Sequence, residues 1–466
     1  MRRGWVLALA SMTIVLVVVD LTAVTIALPD IRADLGASLV QVQWVVDAYA
    51  LTLAAALLPA GVLADRYGRR RLLVIGVSIF TVASLACALA PTAPLLDLAR
   101  GVQGLGASAL YGTTTPLIGA AYPEGPDRGK ALGIFSAVSG LAMTLGPVVG
   151  GALTSAFGWR AIFLINLPIG AFVLVALRQR VAESRGRGHL DPLGILLITA
   201  ALFAIIPALI HDLPALLVAG LVLLAVFVLV ERRASEPMID LGLFRNRVFA
   251  VGSGTTLLML AALLGAFTYL TLYVQGPLDT SPAEAGARFL AFSVAAVIGP
   301  VAIGRVLHKW PMGVLIAVGP AVIAVALLVM AVPAADPWTP IMVGLFLGGL
   351  GLGAGNVVAN QVGLTAPMDR VGMATGIVNT LKQVGTAVGV AVLAAPYRSG
   401  LVPLLLIAAA LALAGALLPV ALRGRSRPAT PPPAAPYAAA PPARPALWSR
   451  RRARNRRSSR SGPPPG

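Results

Sequence analysis

Charge is what this chain has least of. Asp, Glu, Lys and Arg make up 12% of its 466 residues, while 58% are hydrophobic and the mean hydropathy is +0.87. A soluble surface needs about 25–35% charged residues, so soluble, disordered and collagen-like classes are excluded for the chain as a whole, and a bilayer is its solvent. Cysteine is almost missing too: Cys87 stands alone within an apolar run, which excludes an internal disulfide or a cysteine metal cluster. His189, His211 and His308 are scattered, so neither a metal site nor any other cofactor is expected. Clustered catalytic residues are lacking, as is a loop longer than about twenty residues that could fold into an extramembrane domain. A membrane-embedded enzyme is therefore a remote reading.

The net charge of +18 would suit a nucleic-acid binder if it were spread over the chain. It is not: residues 423–466 hold eleven arginines, eleven prolines and no acid, which leaves +7 for everything before them. That tail cannot form a packed core and is expected to be a disordered cytoplasmic segment whose partner, if any, is anionic lipid. Nucleic acid is not an expected partner.

A window of about 19 residues, long enough to cross roughly 30 Å of hydrocarbon, finds fourteen apolar stretches between residues 5 and 422. Each must be helical, because an open strand would leave backbone groups unpaired in lipid. With fourteen spans, the N-terminus and alternate loops carry nineteen basic residues before the tail is counted. The opposite side carries four, Arg32, Arg160, Arg288 and Arg398. By the positive-inside rule both termini are cytoplasmic, in a multi-pass protein of the cell membrane. The apolar run behind Arg2 and Arg3 is too long for a signal peptide and contains Asp20.

Shifting the chain by 243 residues reveals an internal repeat. Gly61, Arg66, Leu72 and Gly76 fall on Gly304, Lys309, Leu315 and Gly319, and Gly129, Gly133 and Gly146 fall on Gly372, Gly376 and Gly389. The repeat divides the chain into a six-helix half (1–180), two inserted helices with flanking loops (181–248), a second six-helix half (249–422) and the tail (423–466), as transporter halves are arranged.

Four motifs narrow the reading. GVLADRYGRR places Gly61, Asp65, Arg66, Gly68, Arg69 and Arg70 between spans two and three. SGLAMTLGPVVGG in span five groups Gly140, Gly146, Pro147, Gly150 and Gly151; Pro147 lacks a backbone donor and small residues permit close helix packing. DLTAVTIALPDI (Asp20 to Ile31) and WRAIFLINLPIG (Trp159 to Gly170) complete the set. Together they resemble the major facilitator superfamily, and within it the fourteen-span drug:proton antiporters of the EmrB/QacA type. The resemblance implies an all-α membrane fold, a cytoplasmic gating loop around Asp65, and an antiporter motif in span five.

An ionised side chain at mid-membrane costs about 2.5–3.5 kcal/mol even on the lenient insertion scale. Asp20, Asp47 and Arg100 are therefore the proton-coupling candidates. Gln103 and Tyr111 share a face with Arg100, and Asn379, Lys382 and Gln383 line one stripe of span thirteen; these five are the substrate-cavity candidates. The expected function is proton-driven export of small organic molecules, giving drug or antibiotic resistance. A dedicated exporter of one endogenous metabolite would use the same motifs.

Overall fold

The computed structural model describes residues 3–122, 125–185, 191–210, 213–233, 239, 241–280, 282–367 and 369–422. The basic tail expected at 423–466 lies outside them. Among the described residues the chain is helical throughout: α1 (Arg3–Leu35), α2 (Leu39–Tyr67), α3 (Arg69–Leu89), α4 (Ala93–Ala121), α5 (Pro126–Phe157), α6 (Arg160–Leu164), α7 (Asn166–Arg180), α8 (Pro192–Ile210), α9 (Pro214–Arg233), α10 (Arg247–Gln275), α11 (Pro282–Val306), α12 (Met312–Met330), α13 (Trp338–Gly363), α14 (Val371–Arg398) and α15 (Leu401–Leu417).

The helix ends have local causes. Ser38 and Gln41 form a reciprocal capping box that starts α2. Between α2 and α3 the chain turns within one residue, Gly68, at a φ of 111° that a side chain would disfavour. Outward faces remain apolar: Val82, Leu89 and Leu98 are each about two-thirds exposed, as lipid-facing residues are and core residues of a soluble protein are not.

Twelve helices among the described residues are long and apolar enough to cross a membrane, α6 and α7 counting together, and thirteen if α5 is one span bent by 44° between Met143 and Val148. This is fewer than the fourteen stretches read from the sequence. The break in α5 contains Pro147, whose missing donor weakens the helical ladder there. The other stretch is α4, whose 29 residues include Asp97, Arg100, Gln103, five glycines and three threonines; these lower its hydropathy without shortening it.

The 243-residue offset reappears as packing. Within the first half α2 packs on α4, α3 on α4, and α1 on α5; the shifted partners pack likewise, α11 on α13, α12 on α13, and α10 on α14. Across the halves the two seams are α2 with α14 and α5 with α11. Each seam closes on paired glycines. A Cβ on Gly61 would stand 2.2 Å from the Gly372 carbonyl oxygen, and one on Gly304 would stand 2.8 Å from that of Gly129. Shifting either pair by 243 residues produces the other. α8, paired with α9, packs against α2 and α14, along the first seam.

Candidate functional site

Asp20, at mid-length in α1, is 1% exposed and faces α4. Its Oδ2 is ion-paired to Arg100, while its Oδ1 accepts from the Gln103 and Asn166 side-chain amides, both at 2.9 Å. Arg100 donates from Nε to the Val45 carbonyl (2.9 Å) and from Nη1 to Gln103 Oε1 (2.7 Å). Its guanidinium lies 4.2 Å from the Tyr49 ring centre. Ser84 accepts from Gln103 at 2.8 Å. A buried charge requires this density of partners, and five helices supply it: side chains from α1, α3, α4 and α7, and one carbonyl and the Tyr49 ring from α2. The spacing of Gln103 from Arg100 anticipated their common face, but Gln103 belongs to this sealed cluster and is not a cavity-wall residue. No sequence pattern marks Tyr49 or Ser84 for this cluster. The one available signal was Asn166, a polar residue interrupting the apolar run of WRAIFLINLPIG.

The cavity lies between the halves and measures about 210 Å³. Val17, Leu21 and Thr22 line it from α1, while Asp20 does not, and Tyr111 lines it from α4. The second half contributes Asn360 from α13 and Asn379, Lys382 and Gln383 from α14. Four of the five cavity candidates are thus brought together. Asp47 is elsewhere: half-buried, it lines a smaller pocket of about 170 Å³ between α2, α8 and α14.

On the Gly68 side of the molecule, Asp65 is 1% exposed. Arg69 donates to its Oδ1 at 2.9 Å, and the backbone N–H of Met373, on α14, donates to its Oδ2 at 3.0 Å. The carboxylate therefore ties the first half to the second. Arg66 is exposed, and Arg70 and Arg71 stand near Glu183, which accepts from both their backbone N–H groups at 3.0 and 3.1 Å. Glu183 thereby caps the start of α3, where the helix dipole favours an anion. A second tie between the halves runs from Arg128 Nη2 to the Leu364 carbonyl at 2.9 Å. Neither Glu183 nor Arg128 is distinguishable by sequence from ordinary loop charges.

The span-five glycines divide by what they touch. A Cβ on Gly150 would meet the Ala23 backbone at 2.6 Å, and one on Gly146 would collide with Thr22 Oγ1; Gly151 faces only Ile26, at 3.9 Å. Gly140 packs on the α11 backbone, 3.0 Å from the Ala296 carbonyl oxygen by the same measure. Gly150→Ala should consequently separate α1 from α5 and lower both melting temperature and initial efflux rate, at an overpacking cost of about 1–3 kcal/mol. Gly151→Ala should match the parent. Equal behaviour of the two variants, in a thermal melt and a transport assay on purified protein, would contradict this reading of the motif.

The Major Facilitator Superfamily profile matches residues 10–390 and, in a second match, 255–457. A multidrug resistance protein of Mycobacterium tuberculosis is 36% identical over 391 residues, covering 81% of this chain and 73% of the relative. A puromycin resistance protein of Streptomyces alboniger is 36% identical over 414 residues (84% and 81% covered). A tetracenomycin C resistance and export protein of Streptomyces glaucescens is 33% identical over 410 residues (84% and 75%). Among solved structures, the human organic anion transporter MFSD10 superposes with a TM-score of 0.68 at 15% identity, over 90% of this chain and 100% of that one. The proton:xylose symporter XylE superposes with a TM-score of 0.64 at 14% identity, over 89% and 94%. At such identities the superpositions speak for the fold alone.

Proposed function

The chain belongs to the major facilitator superfamily, and on that premise we propose that it is a proton-coupled exporter of small organic molecules that gives resistance to drugs or antibiotics. It is a multi-pass membrane transporter, not an enzyme. The observation that carries the export reading is 33–36% identity, over more than four-fifths of this chain, to multidrug and antibiotic resistance proteins.

The finer architecture is part of the same proposal. Counting α4 and the bent α5 with the twelve candidate helices makes fourteen spans, the number in the EmrB/QacA type. The halves are 1–180 and 249–422, with α8 and α9 inserted between them. The distribution of nineteen basic residues against four supports cytoplasmic termini, which puts the Asp65 tie at the cytoplasmic face, and leaves the tail beyond 423 to lie on anionic lipid.

In the proposed cycle the halves rock about the cavity. With the cytoplasmic side closed by Asp65, substrate leaves outward and a proton reaches Asp20, loosening its hold on Arg100. With the halves rocked the other way, the proton is released inward, the pair re-forms and substrate enters. Each charge moving down 100 mV supplies about 2.3 kcal/mol, enough for roughly fiftyfold accumulation. The α1–α5 glycine contacts keep the path sealed between the two states.

A single dedicated substrate is the second reading, favoured by the relatives named for one compound each, puromycin and tetracenomycin C. Efflux assays with several chemically distinct drugs, in cells stripped of their own pumps, separate the two. Export of at least three unrelated compounds is expected for the drug-exporter reading, export of one for the dedicated reading, and export of none would refute both.

A further inference from the structure

The sign of charge in the cavity bears on what the protein carries. Lys382 is 8% exposed and is the one cavity-lining residue, among those described, with a full charge; no Asp or Glu lines the space. Its Nζ donates to Asn360 Oδ1 at 3.1 Å. An ammonium has three donors, so two remain for whatever occupies the cavity. No carboxylate among the described residues lies within ion-pair distance of Lys382. Asp20 does not line this space, and both its oxygens are taken by Arg100, Gln103 and Asn166.

A buried cation without an anion is unfavourable, and the cost is recovered when a ligand brings the missing charge. Resting on the export reading above, we infer that the cavity selects amphipathic organic anions, with Lys382 holding an ionised carboxylate, phenolate or enolate. Asn360 orients the ammonium, Asn379 and Gln383 offer amide donors beside it, and Leu21, Leu53 and Leu264 cover the apolar body. A substrate of this class leaves with its negative charge, so an inside-negative potential drives the export in addition to the proton. Asp47, beyond Gln383 and Thr386 in the adjoining pocket, is the group a cationic substrate would seek instead.

Fluorescein and rhodamine 123 test this, because they share one tricyclic skeleton and differ in the sign of their charge. Binding to the purified full-length protein is read by fluorescence anisotropy, and transport by uptake into energised inverted vesicles. Wild type is expected to bind fluorescein more tightly than rhodamine 123. Lys382→Met should weaken fluorescein about tenfold or more and leave rhodamine 123 unchanged or tighter, whereas Lys382→Arg should stay within about threefold of wild type. Monodisperse elution and an unchanged melt exclude misfolding, and Lys382→Gln, which removes the charge but keeps a polar side chain, should weaken fluorescein likewise if the Met variant fails to fold. Preference for rhodamine 123, with dependence on Asp47, would overturn the inference and leave the export reading intact. So would fluorescein binding that ignores Lys382. Lys382-dependent binding without any transport would instead uphold the anion site and refute the export reading.

Discussion

Asp20→Asn should abolish proton-driven accumulation while the protein still inserts and still binds substrate. Asparagine keeps the size of the side chain, so the α1–α4 contact survives. It cannot keep the chemistry: Asp20 accepts from Arg100, Gln103 and Asn166, and an amide presents a donor to one of these donors. It also has no proton to exchange at physiological pH. Arg100→Ala leaves a carboxylate buried without its cation, a change that costs about 3–5 kcal/mol when both states must stay ionised. Without Arg100 the carboxyl has lost the partner whose release and return the proposed cycle uses, so coupling is impaired. The measurement is substrate-induced proton release from energised inverted vesicles, comparing Asp20→Asn, Arg100→Ala and Asp47→Asn with the parent. Loss in the first, impairment in the second and near-normal release in the third are expected. Uphill transport by Asp20→Asn together with its loss in Asp47→Asn would transfer the role to Asp47.

Asp65→Asn should slow export severely at equal expression, by about tenfold to a hundredfold. The arithmetic comes from the bonds removed. Arg69 is 1% exposed and loses its anion at 2.9 Å; charged hydrogen bonds contribute about 1.5–3 kcal/mol, and about 1.4 kcal/mol is a factor of ten. Because the same carboxylate accepts from Met373 across the seam, the loss falls on the state in which this face is closed, and the resting population moves toward the opposite opening. Arg178→Ala is the control. Its side chain is exposed at the end of α7, and the variant should transport at close to the parental rate. Initial rates of drug efflux in a pump-deficient strain check both. If Asp65→Asn runs at the parental rate, the tie to α14 does not gate the cycle.

Much of this organisation is legible in the sequence because the bilayer imposes simple rules. An unbroken apolar stretch must be a helix, so the all-α class followed from composition, and the constant offset of 243 residues anticipated that α1–α5 and α10–α14 would pack alike. Charges placed where a bilayer penalises them singled out Asp20 and Arg100 before any geometry was known. Periodicity on one helix also placed Asn379, Lys382 and Gln383 on a common stripe. What the sequence could not settle was partnership between helices. Gln103 and Tyr111 share a face of α4, yet one ends in the Asp20 cluster and the other in the cavity wall, because they stand about two turns apart along the helix and different neighbours pack at each level. Gly150 and Gly151 are neighbours in one motif, but only Gly150 abuts the α1 backbone. Asp65 is tied to a backbone N–H 308 residues away, and Asn166 reaches Asp20 from 146 residues away. Such contacts are fixed by how the halves dock, and local propensity, hydropathy and spacing carry no record of docking.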